Sequence, residues 1–203
     1  MKAEHLEILV EEPSMELFLR ALLPRVLGDG VTFEVYPSQG KDDLLRNLPG
    51  RLRGYAKFLP RNHRIVVILD RDDDDCRVLK ARMEKAAAAA GLPTRTRNRS
   101  KWRVANRIAI EELEAWYFGD WDAVVDAYPR APRGLQNKAG YRDPDEITGT
   151  WEAFERVLKK AGYFEMGLSK RELARTLGQL MVPKRNRSRS FNLLIETLTE
   201  ACQ

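Results

Sequence analysis

Ile65-Val66-Val67-Ile68-Leu69 runs straight into Asp70, and Asp72 to Asp75 follow after a single arginine. An apolar, mostly β-branched run bounded by charge is the pattern of a strand buried on both faces. Such a strand belongs to a layered α/β architecture, with helices covering both sides of a parallel sheet. It also delivers a packed set of carboxylates to one edge of that sheet. Two like unit charges ~4 Å apart repel by about 1 kcal/mol in water and several-fold more near a protein surface. So many anions together call for a cation, and hard oxygen ligands favour magnesium, manganese or calcium over zinc. Asp73 to Asp75 have a second reading, as caps of the helix that follows.

The rest of the chain supports the layered reading through residue 128. Strands are expected over 5–10, 31–36, 64–69 and 103–110, with a short one over 92–97. Between them lie helical patterns. The first opens at Pro13-Ser14, with Pro24 kinking or shortening it. The second covers 42–59, interrupted near Pro49-Gly50. The third is CRVLKARMEKAAAAAG, stopped by Gly91. The fourth is EELEAWYFGDWDAVVDAY, broken at Gly119. This alternation predicts a Rossmannoid, mostly parallel α/β sheet with helices on both faces. After Tyr128 a Pro-, Gly- and charge-rich loop leads to helices expected at 151–161, 169–181 and 191–201, with Ser169 and Ser190 as N-caps. The chain therefore divides into an α/β domain, 1–128, and a loop and helical C-terminal extension, 129–203, packed on it.

Composition narrows the chemistry. Two cysteines far apart, Cys76 and Cys202, give neither a disulfide framework nor metal-ligand spacing. With His5 and His63 the only histidines, neither a zinc site nor histidine-based nucleophilic catalysis is expected. No apolar stretch has signal-peptide or membrane length, so a soluble, cytoplasmic protein without membrane partners is expected. The net charge of +5 hides an uneven distribution: acid gathers at 70–75 and 111–114, base elsewhere. A basic surface around an acidic pocket suits a protein that handles polyphosphate through a metal.

Acid follows three of the expected strands: Glu11-Glu12, Asp70-x-Asp72, and Glu111, Glu112 and Glu114. In an open parallel sheet the carboxyl ends of the strands share one edge, where ligands bind, so these groups can converge. For Glu111 and Glu112 a helix-start role competes with ligation. Asp70 and Asp72, two apart on a strand continuation, would point the same way and share a metal.

These stretches resemble a known family. A glutamate in VEEPS after the first strand and LDRD after a later one look like the Toprim domain of topoisomerases, primases and overcoming-lysogenization-defect nucleases. Across nearly the whole chain, VEEPSMELFLRALL, VVILDRDDDDC, IAIEELEAWYFGD and SRSFNLLIETL resemble the Toprim-like domain-of-unknown-function family numbered 4276. The resemblance implies that Glu11, Asp70 and Asp72 are catalytic and bind Mg2+ or Mn2+, with Asp74 and Glu114 as further metal ligands. Glu12 stands where Toprim proteins usually have glycine and is an alternative to Glu11; Met15 departs from an often acidic position. Lys170 in LSKREL resembles a serine-lysine pair of the family, against a plain surface lysine. Relatives are often encoded beside ATPases, in settings suggestive of phage defence, which implies an ATPase partner protein.

TRTRNRSKWR places Arg95, Arg97, Arg99, Lys101 and Arg103 at alternate positions beside Trp102. On an extended chain they form one charged stripe that fits a nucleic-acid backbone, with Trp102 stacking on a base. A charged edge strand that blocks aggregation is the competing reading. KRNRSR, 184–189, reads as a solvated basic loop. Trp116, Tyr117 and Phe118 are core by default, with exposed aromatics and the C-terminal helices as a possible partner interface.

The function expected is a divalent-metal-dependent phosphodiester hydrolase, a nuclease acting on nucleic acid, in which paired metals stabilise the attacking and leaving oxygens. The alternative is a non-catalytic nucleic-acid-binding or regulatory subunit of an ATPase complex. A phosphoacceptor receiver-like domain ranks last, because no lysine follows a fifth strand.

Overall fold

The computed structural model describes residues 2–164, 167 and 169–203. Four parallel strands form one sheet: β1 (His5–Val10), β2 (Thr32–Pro37), β3 (His63–Asp70) and β4 (Val104–Ala109), in the order β2-β1-β3-β4. The chain leaves β1 in one direction to make β2, then returns past β1 to make β3. The point where the order reverses therefore lies between the carboxyl ends of β1 and β3, where a doubly wound sheet opens a crevice. No strand forms over 92–97. Thr94 makes a single bridge to Val104, and the chain then turns, Arg97 N and Asn98 N both donating to the Thr94 carbonyl.

Central β3 carries apolar side chains on both faces, as its unbroken hydrophobic run requires. Ile65, Val67 and Leu69 meet α2 (Lys41–Phe58) and α3 (Cys76–Ala89), together with Leu44, Leu48, Leu52 and Met83. Val66 and Ile68 face the larger core on the other side. That core holds α1 (Pro13–Val26), α4 (Leu113–Gly119), α5 (Trp121–Ala127), α6 (Thr150–Lys160), α7 (Lys170–Leu180) and α8 (Arg189–Ala201). Phe18 on α1 packs against Trp116, Tyr117 and Phe191, so residues from the amino-terminal half and from α8 share one hydrophobic cluster.

Two local expectations need correction. Helix α2 runs through Pro49 without interruption, because its buried Leu44, Leu45, Leu48, Leu52 and Tyr55 hold it to the sheet on either side of the proline. The cap of α8 is Ser188, whose hydroxyl accepts from Phe191 N; Ser190 is already helical. Trp116, Tyr117 and Phe118 are all buried, as the core reading of these residues expects. One close approach matters later. A Cβ on Gly178 of α7 would sit 2.6 Å from the Phe18 carbonyl of α1, so only glycine lets these helices meet. Among the described residues, no helix is long and apolar enough to cross a membrane.

Candidate metal centre

The carboxyl edge of the sheet brings together acids from three strand ends. Glu11 follows β1, and its Oε2 accepts a hydrogen bond from the backbone N–H of Asp70, the last residue of β3, at 3.2 Å. Asp70 is buried, and its Oδ1 has no hydrogen-bond partner. Glu114, in the first turn of α4 after β4, is 2% exposed. Glu12 occupies the N-cap position of α1, with its carboxylate receiving the Ser14 hydroxyl rather than capping the helix backbone.

The electrostatics mark these groups as a set. Burial, the neighbouring Asp72 and, against them, Lys41 leave Glu11 pushed up to about 7. Burial, with Glu11, Glu114, Glu12 and Asp72 around it, holds Asp70 well above the usual carboxylate range. Burial, opposed by Lys170 and aided by Glu112, pushes Glu114 up to about 7. Burial, then Glu114, Glu12 and Asp70, also drive the Tyr117 hydroxyl upward, and its oxygen has no hydrogen-bond partner. Buried carboxyls that repel one another are stabilised by anything that supplies positive charge.

Two lysines supply some of it. Lys41 opens α2 behind Gly40, whose φ of 99° makes the tight entry and whose N–H donates to the Glu11 carbonyl at 3.1 Å. Its ammonium lies 2.7 Å from carboxylate oxygens of both Asp72 and Asp74 and donates to the Arg71 carbonyl at 2.9 Å. Burial lowers the Lys41 pKa, but hydrogen bonds to the two aspartates outweigh it and raise the net value. Lys170, the first residue of α7, lies 4.5 Å from the centre of the Trp151 ring. Burial lowers its pKa too, and the charges of Glu114, Glu12, Glu112 and Asp70 more than reverse this. Lys170 is therefore part of the acidic rim, not a solvated surface lysine.

Asp72 does not continue the strand alternation. The strand ends at Asp70, and Asp72 adopts a left-handed φ of 47°. Its N–H donates to the carbonyl of Glu111, itself at φ 60°. Two non-glycine residues in this sparsely populated region, tied to each other, mark a locally strained edge. Asp72 is thus turned towards Lys41. Among the described residues, the ligand oxygens of Glu11, Asp70 and Asp72 do not all lie within 4.8 Å of one another. Asp74 is exposed and paired with Lys41, while Asp75 caps α3 by accepting from Arg77 N and Val78 N.

Glu111 and Glu112 have other partners. Glu111 is paired with Arg71 and accepts from Gly149 N; Glu112 accepts from Thr150 Oγ1 and Trp151 N, capping α6. The carboxyls left to hold a hard divalent ion are Glu11, Asp70 and Glu114, with Glu12 and Asp72 beside them, and among the described residues no three of them place oxygens within 4.8 Å of one another. The unpartnered Asp70 Oδ1 fits that role, since a buried anionic oxygen without a hydrogen bond is costly unless a cation completes it.

The basic stretch 95–103 lies elsewhere. It precedes β4, at the amino edge of the sheet, and because the chain turns there its alternate residues share no face. Arg95 is buried and paired with Glu196 at 2.7 Å and Glu200 at 2.6 Å on α8; Arg99 joins Glu196 at 2.8 Å. Trp102 is 3% exposed and donates to Glu200, so it presents no face for stacking on a base. Arg103 donates to the carbonyls of Leu59 and Pro60. Arg97 and Lys101 remain exposed. In KRNRSR the four basic residues are exposed, as a solvated stretch expects, while Asn186 and Ser188 turn inward. Arg185 pairs with Asp120 at 2.9 Å, and buried Asn186 donates to the Trp116 carbonyl. A cleft does adjoin the rim. About 550 Å³ in volume, it starts at Cys76 and Ile110, next to the aspartates and Glu111, and is lined by Arg77, Lys80, Arg107 and Arg189 together with Asp143 and Asp145.

A family model described as a domain of unknown function (DUF4276) matches residues 10–199. The chain belongs to that family. No curated protein and no solved structure matches it. The matched span takes in every rim residue named above, from Glu11 to Lys170.

Proposed function

We propose that this member of the DUF4276 family is a divalent-metal-dependent phosphodiester hydrolase acting on nucleic acid. The observation that carries the reading is the meeting of Glu11 and Asp70 at the strand crossover, with a buried Asp70 oxygen free to bind a cation. Glu11, Asp70 and Glu114 would hold the ion, Mg2+ or Mn2+, with Asp72 joining on release from Lys41. Bound there, such an ion lowers the pKa of a water molecule and neutralises charge on the phosphate. A Glu11 left off the ion would instead be the group placed to take a proton from an attacking water. Lys41 and Lys170 stand where they can neutralise a non-bridging phosphate oxygen. The cleft with Arg77, Lys80, Arg107 and Arg189 gives the backbone of a longer substrate a route away from the rim.

This reading keeps the kinship with Toprim-type and overcoming-lysogenization-defect nucleases, a cytoplasmic setting and a phage-defence role beside an ATPase as parts of the proposal. It is tested by incubating the chain with plasmid, single-stranded DNA and RNA, with Mg2+ or Mn2+. Cleavage that is lost in Asp70→Ala supports it; equal cleavage by the wild type and Asp70→Ala ends it. One observation favours a second reading. The ammonium of Lys41 already bridges Asp72 and Asp74, which is how a non-catalytic module of an ATPase complex would neutralise its rim. Metal-dependent thermal stabilisation with no cleavage, alone or with an ATPase, would favour that module.

A further inference from the structure

The two histidines of this chain stand 58 positions apart in sequence and meet in the fold. His5 opens β1 and His63 opens β3, and the two are register partners in the parallel ladder. Their ring centres are 4.7 Å apart. Glu7 lies two residues beyond His5 and so shares its face of the sheet. Its Oε1 is 3.5 Å from His5 Nε2. One ligand atom from each of the three side chains lies within 4.8 Å of the other two, and among the described residues no other acid, histidine or cysteine group does this.

We propose that His5, Glu7 and His63 form a binding site for a borderline transition metal, zinc above all, at the amino edge of the sheet. Imidazole nitrogens with one carboxylate suit zinc, nickel or copper and give little to magnesium. Three protein ligands leave a fourth tetrahedral position for water. The supporting groups are in place. Thr32 Oγ1 lies 2.6 Å from His5 Nδ1 and 3.3 Å from the Glu4 carbonyl, an outer partner that orients the ring with Nε2 turned to Glu7. Tyr55 from α2 donates to Glu7 Oε2 at 2.9 Å and Tyr36 also hydrogen-bonds Glu7, which orients the carboxylate. Outer partners of this kind hold ligand geometry in metal sites. His63 Nδ1 is buried with no hydrogen-bond partner. Of the neighbouring cations, Arg103 is engaged by the Leu59 and Pro60 carbonyls and Arg51 lies over the Tyr36 ring. The occupied site would clip β1 to β3 at the edge opposite the acidic rim.

The test is calorimetric titration of the full chain with ZnCl2, paired with the visible absorption spectrum after Co2+ substitution. The expected result is one zinc per chain and a cobalt spectrum of nitrogen–oxygen ligation. His5→Gln and His63→Gln should each weaken zinc binding by at least roughly tenfold, more than an outer partner's loss gives at the low end. Asp70→Ala should leave zinc binding unchanged. Folding of each variant is checked by its metal-free melting temperature, and Tyr55→Phe, which spares all three ligands, should weaken binding less. Absence of zinc binding to the wild type, undiminished binding in both histidine variants, or loss only in Asp70→Ala would each overturn the proposal.

Discussion

Arg95 and Asp70 are both buried ionisable side chains, 9% and 6% exposed. Arg95 meets two glutamates on α8, whereas Asp70 meets further carboxyls and keeps one oxygen unpartnered. One charge has been neutralised by the fold and the other has not. The basic stretch 95–103 looks like a binding surface in sequence and is chiefly an internal brace. The acidic rim keeps charge that folding alone does not compensate. Burial without a partner, more than density of charge, separates a candidate site from scaffolding.

The largest expected effect sharpens that contrast at the rim. Glu11→Gln should lower metal-dependent cleavage by ~10²–10⁴-fold, the usual contribution of a general base. Asp70→Asn should abolish cleavage while raising the melting temperature at alkaline pH, where the carboxyl is forced to ionise beside its acidic neighbours; a fall in both would mean that Asp70 is a structural anchor. Next comes the brace. Arg95→Ala leaves Glu196 and Glu200 with only the exposed Arg99 and should cost about 1–3 kcal/mol in denaturant unfolding. Cleavage per folded molecule should be unchanged. A stable variant that has lost nucleic-acid binding would break the comparison.

The pH dependence is a smaller test. Glu11 and Glu114 rise from 4.5 to about 7 on folding, and Asp70 rises as well. The folded chain therefore binds more protons than the unfolded one across that interval. Their stabilising contribution is full below about pH 4.5 and is lost as pH rises through about 7. Unfolding at stepped pH should show this decline, and Mn2+ should reduce it, since the ion replaces the protons. Smallest of all, Arg97→Ala and Lys101→Ala should shift stability by under ~0.5 kcal/mol, as exposed positions do. A strong loss of nucleic-acid affinity from either would restore part of the stripe to a binding role.

The parallel sheet was legible because its signal is local: β3 shows five apolar residues in a row, and each strand is followed by a helical pattern. The rim was legible through the rule that parallel strands end at one edge. That rule placed Glu11 and Asp70 together without any knowledge of strand order. It applies equally to the loop after β2, which is where Lys41 enters, yet PSQGKDD carries no mark beyond its glycine. Lys170 was singled out only through the family's serine-lysine pair. Its place on the rim depends on how α7 packs against α1, and no local pattern encodes that. His5 and His63 could be paired only from the order β2-β1-β3-β4. Alternation misled at 94–103, where the turn at Thr94 consumes the residues that an extended chain would have displayed.

Gly178 lies eight residues, about 12 Å of helix, from Lys170 along α7. Any side chain at Gly178 would press on the Phe18 backbone and lever the helix outward. The lysine at the far end would swing with it, away from Glu114 and Asp70. A methyl group placed remote from every acid would therefore act as a chemical lesion of the rim, and its mark would be a slower reaction in a chain that still folds.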